Sequence, residues 1–67
     1  MLRLTVERKK RGWTKTELAF RAQLHPSTIG KLESGELKPF PKYKRVLSEI
    51  FEVPAEELFN QTEEVAQ

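Results

Sequence analysis

The sequence predicts an all-α fold, a compact arrangement of five short helices, and three observations carry that expectation. Glycine and proline punctuate the chain at Gly12, Pro26, Gly35, Pro39, Pro41 and Pro54, and the segments between them read as short helices. Thr14-Lys15-Thr16-Glu17 is a capping box, with Trp13 and Leu18 placed as a hydrophobic staple around it. Tyr43, Val46, Leu47, Ile50 and Phe51 recur at i, i+3, i+4, i+7 and i+8, the core face of one helix.

The first helix is expected over about Leu4 to Arg11, stopping at Gly12 after a basic last turn. Leu2, Leu4 and Val6 alternate, so a short extended start with Thr5 as N-cap is the other reading. In the second helix the Thr14 hydroxyl should accept from the Glu17 amide while the Glu17 carboxylate reaches back. Leu18, Ala19 and Ala22 make its apolar stripe, with small residues that let a neighbouring helix approach. After a break at Gln23-Leu24-His25, Pro26 opens a third helix, with His25 as its N-cap and Gly35 at its end. A proline-bearing loop over residues 36–41 leads to the fourth helix, Pro41 to Phe51, and Pro54-Ala-Glu-Glu-Leu-Phe59 makes a fifth. Residues 60–67 are polar and expected to fray.

Sixty-seven residues allow one small domain, and composition removes the usual staples. Without cysteine there are no disulfides and no thiolate zinc sites, and His25 alone cannot build an imidazole shell, so no metal or cofactor is expected. No apolar run approaches the ~18 residues of a membrane span, and no signal-peptide pattern opens the chain, so a soluble cytoplasmic protein is expected. The net charge of +2 conceals a division. All 12 lysines and arginines lie in residues 1–45 with only four glutamates, a balance of +8, while residues 46–67 carry six glutamates and no base. Such a split suits a polyanion on one face. No nucleophile–base pair or glycine-rich phosphate loop supports an enzyme, and no small-molecule site is evident.

Placed on a wheel of about 100° per residue, the third helix turns Ile29 and Leu32 to the core. Ser27, Lys31 and Ser34 cluster opposite them, with Gly30 between and Thr28 on the flank. Small hydroxyls and one lysine pack poorly against protein but let a helix backbone come close to base edges in a major groove about 12 Å wide.

The segment from Lys15 through Leu18-Ala19, Ala22, Leu24-His25-Pro26, Ile29 and Leu32 to Ser34 resembles the helix-turn-helix of the Cro and phage-repressor (XRE) family. The likeness covers about residues 3–59, including the Arg-Gly-Trp-Thr close of the first helix and the Glu33-Ser-Gly35 exit. It implies a lambda-repressor-like fold over residues 1–60, with the helix-turn-helix at about residues 15–34 and a polar C-terminal tail over 61–67. It further implies sequence-specific binding of double-stranded DNA as a homodimeric transcriptional repressor at a palindromic operator.

Carried over by position, Pro26, Ser27, Thr28 and Lys31 are the expected base readers. Lys15, His25, Ser34, Lys38, Lys42 and Lys44 are the expected phosphate contacts. Arg8 and Glu33 match a pair that ties the first helix to the end of the recognition helix. Gln23 stands where the family usually has glycine, so a left-handed backbone there should cost about 1 kcal/mol. Phe20, at a position the family keeps polar, is expected to pack on the first helix, with a partner surface as the other reading; Lys9, Lys10 and Arg11 are expected to act as diffuse charge. The competing function is a protein-interaction module on the same scaffold, or an antitoxin-type regulator that binds both a protein and its own operator.

Overall fold

The computed structural model describes residues 1–62. Its elements are α1 (Arg3–Lys10), α2 (Lys15–Ala22), α3 (Pro26–Ser34), α4 (Pro41–Phe51) and α5 (Ala55–Leu58). They pack around Leu4, Leu18, Ala19, Ala22, Ile29, Leu32, Leu47, Phe51 and Leu58, all buried. This is the all-α architecture expected, and α2 with α3 forms the most extensive helix pair.

α1 begins earlier than its apolar pattern indicates, and Thr5 lies inside it rather than capping it. The reason is at the other end of the chain. Leu2 is extended and bridges antiparallel to Gln61, while the Arg3 N–H donates to the Asn60 carbonyl at 2.9 Å and the Thr62 N–H to that of Met1 at 2.8 Å. Residues 60–62 thus satisfy one open N–H of α1, that of Arg3, at a helix start with no side-chain cap. Residues 60–62 are therefore tied down rather than frayed; the rest of the expected tail, 63–67, lies outside the described residues.

At α2, Thr14 Oγ1 accepts the Glu17 N–H at 3.1 Å, as the capping box requires. Its second half is replaced: the Glu17 carboxylate pairs with Arg21 one turn on, at 3.2 Å. The guanidinium of Arg21 also lies 4.3 Å from the centre of the Trp13 ring, which itself packs against Phe51 with ring centres 5.6 Å apart. Phe20 does not pack on α1; it is 80 % exposed.

α2 ends on Gln23 at φ 58, ψ 42, the left-handed conformation foreseen for that turn. Leu24 N–H closes back on the Ala19 carbonyl at 2.9 Å and Gln23 N–H on that of Phe20 at 3.3 Å, a Schellman end that drives Leu24 into the core. Because a Cβ opposes this backbone, Gln23→Gly is expected to stabilise the domain by about 1 kcal/mol. Urea unfolding measures it, and an unchanged or lower midpoint would show that the turn carries no strain. Glu52 ends α4 in the same conformation at φ 56, with no glycine to announce it.

Arg11 is a structural clasp, not diffuse charge. Its Nη1 donates to the Glu7 carboxylate at 2.8 Å and to the Glu7 carbonyl at 3.0 Å, its Nη2 reaches the Phe51 carbonyl at 3.3 Å, and its guanidinium lies 4.8 Å from the Phe51 ring centre. The clasp joins the ends of α1 and α4. Arg3 holds the same carboxylate from the other side at 2.6 Å. Hydrogen bonding to Arg11 first, then to Arg3, holds the buried Glu7 carboxyl below its usual range.

Candidate nucleic-acid interface

α3 is oriented by its two buried residues. Ile29 and Leu32 are 0 % and 2 % exposed, which leaves Pro26, Ser27, Lys31 and Ser34 in solvent and Thr28 and Gly30 half-buried. The helix starts at Pro26, whose missing N–H costs nothing at that position. His25 caps it: Nδ1 accepts the Ser27 N–H at 3.1 Å and lies 2.8 Å from Ser27 Oγ. Gly35, at φ 88, ends it in a conformation open to glycine.

The end of α3 is bolted to α1. Arg8 Nε donates to Glu33 Oε2 at 2.7 Å and Nη2 to Oε1 at 3.1 Å, a two-point contact, while Nη1 donates to the Trp13 carbonyl at 2.9 Å. Both side chains are over nine-tenths buried. A planar fork held at three points fixes rotation as well as distance, so α3 is set in angle against α1.

Between these helices and the start of α2 runs an open cleft of about 310 Å³, lined by Thr5, Arg8, Lys9, Lys15, Gly30, Glu33 and Ser34. Lys15 enters it from the first turn of α2, and its ammonium lies 4.0 Å from where a Cβ on Gly30 would stand. Glycine in mid-helix costs about 1 kcal/mol relative to alanine, and a Cβ here would meet only the Lys15 ammonium, at ordinary contact distance.

The cations separate by role. Arg3, Arg8, Arg11 and Arg21 are held in internal ion pairs with Glu7, Glu33 and Glu17. Lys9, Lys15, Lys31, Lys38, Lys42, Lys44 and Arg45 are exposed, and none of their side chains has a hydrogen bond or ion pair among the described residues. Four of the five guanidinium groups build the frame, and Arg45 with six ammonium groups is left for a partner. Sequence reasoning missed this division because an i,i+4 pair such as Glu7–Arg11 is visible in the chain while the reach of Arg11 to Phe51 is not.

The structure brings Lys15 and Ser34 to one cleft and sets Ser27 and Lys31 on one exposed face of α3. Lys38 lies in the loop before α4, and Lys42 and Lys44 lie in its first turns. Ser34 is less available than its exposure suggests: its hydroxyl donates to the Lys31 carbonyl at 3.2 Å and accepts the Glu36 N–H at 3.4 Å. A phosphate, which only accepts, must displace the first of these bonds to use it.

The helix-turn-helix family model matches residues 6–58. The chain belongs to the helix-turn-helix family. Its likeness to the Cro and phage-repressor branch is carried by the same span, and it is a DNA-binding domain of that kind. No curated protein and no solved structure matches the chain. In the terms of this family α2 is the helix that crosses the backbone and α3 the recognition helix. No helix among the described residues is long and apolar enough to cross a membrane, and none of their His and Glu side chains group as a metal site.

Proposed function

We propose that this protein is a transcriptional repressor that reads a palindromic operator as a homodimer, with α3 of each protomer in the major groove. What carries the reading is the exposed face of α3, Ser27 and Lys31 one turn apart, directed outward by buried Ile29 and Leu32 and fixed by the Arg8–Glu33 fork. Pro26, Ser27, Thr28 and Lys31 read bases; Lys15, Lys38, Lys42 and Lys44 hold phosphates, with secondary contacts from His25 and Ser34. The short α4 and α5 supply the dimer contact, and the half-sites are inverted and about one helical turn apart.

Lysine donates only, and its natural partner in the groove is guanine, whose O6 and N7 offer two adjacent acceptors. Each half-site therefore contains a guanine read by Lys31, and Lys31→Ala relaxes the preference there by about 1–3 kcal/mol. Binding to operators changed one base pair at a time measures this for both proteins. Equal loss on every operator makes Lys31 a phosphate contact instead.

Phe20 favours a second reading. A phenylalanine 80 % exposed on α2 suits a protein partner, as in a regulator that binds both a protein and its own operator. A module that only bound protein would show no operator preference and little salt dependence.

A further inference from the structure

The first hydroxyl that α3 presents is not free to choose its polarity. The Ser27 N–H donates to Nδ1 of His25 at 3.1 Å, and Ser27 Oγ lies 2.8 Å from the same nitrogen. A ring nitrogen that accepts the backbone N–H carries no hydrogen, so the neutral imidazole holds its proton on Nε2. Nδ1 then has nothing to give Oγ, and the Ser27 hydroxyl must donate to it. The hydroxyl hydrogen is turned back into the helix cap, and only oxygen lone pairs face outward.

We infer that His25 is a positioning residue that fixes Ser27 as a hydrogen-bond acceptor, so that this position reads a base with an exocyclic amine. In the major groove those donors are N6 of adenine and N4 of cytosine; the O6 and N7 of guanine and the O4 of thymine present lone pairs against lone pairs. Serine elsewhere discriminates little because it rotates to suit. Here the cap takes that rotation away, and Lys31, one turn on, reads the opposite polarity. The inference rests on the groove-reading function proposed above.

Two measurements test it, both at mildly alkaline pH. Long-range proton–nitrogen spectra of the free protein should show the His25 proton on Nε2; a proton on Nδ1 overturns the assignment whatever the protein binds. Binding is then measured on the selected operator with single bases exchanged for the same base lacking its amine, purine for adenine or 2-pyrimidinone for cytosine. At one position per half-site the wild type should lose about three- to tenfold, the worth of one hydrogen bond. Ser27→Ala should be insensitive there. His25→Ala, checked for folding by circular dichroism, should lose most of that sensitivity, and adding it to Ser27→Ala should change the position no further. If the Ser27-dependent position prefers guanine or thymine, or if His25→Ala keeps the wild-type sensitivity to the amine there, the inference is wrong while DNA binding stands. Absence of any operator preference removes the groove-reading function itself, and this inference with it.

Discussion

Glu33→Gln is expected to destabilise the domain by about 3–5 kcal/mol, while Arg8→Met with Glu33→Gln together costs much less than the two single changes added. The asymmetry follows from burial. The Arg8 and Glu33 side chains are 8 % and 7 % exposed, so removing one charge leaves the other desolvated without its partner. Removing both leaves no uncompensated charge in the buried site. For so small a domain, 3–5 kcal/mol is most of the stability expected. Urea unfolding of the four proteins gives the coupling energy, and a value below about 0.5 kcal/mol would mark the pair as dispensable. Glu33 also lines the cleft that holds Lys15. Arg8→Met therefore leaves a bare carboxylate beside a proposed phosphate seat, and should weaken DNA binding more than Glu33→Gln does where both proteins are folded.

The largest effect on function is expected from the unpaired ammonium groups. If Lys15, Lys38, Lys42 and Lys44 each neutralise one phosphate in both halves of a dimer, log affinity should fall against log salt with a slope of about −7. Between 50 and 200 mM salt that is a loss of about 10⁴-fold. Lys15→Ala or Lys42→Ala should weaken all duplexes alike and flatten the slope by about one unit per protomer. Arg3→Met and Arg21→Met remove the same formal charge but disturb pairs with Glu7 and Glu17, so they should change stability and leave the slope nearly unchanged. The contrast separates framework guanidinium from contact ammonium.

Much of the fold was legible because its signals are local. Thr14, Trp13, Pro26 and Gly35 mark helix ends through bonds spanning a few residues, and the Tyr43 to Phe51 spacing exposes the core face of α4. What escaped is non-local. The start of α1 depends on Asn60 and Gln61, nearly a whole chain away, and the clasp of Arg11 depends on the Phe51 carbonyl. Residue chemistry places arginine in such clasps, but nothing in the spacing says which carbonyl it meets. Phe20 was misplaced for the opposite reason: an aromatic residue is ordinarily assigned to packing, and only the geometry of α2 leaves it outside. The outward face of α3 was legible from Ile29 and Leu32 alone. The polarity of Ser27 on that face was not, since it depends on which nitrogen of His25 accepts the cap.

The most direct test of α3 as a groove-reading helix compares a duplex selected from a random pool with a scrambled duplex of the same composition, titrated with salt. Both should bind with steep parallel slopes, because both offer the same phosphates. The selected duplex, carrying inverted half-sites about one helical turn apart, should bind about 10³-fold or more tightly across the range. Equal affinity for the two duplexes, or a slope near zero, would contradict the account.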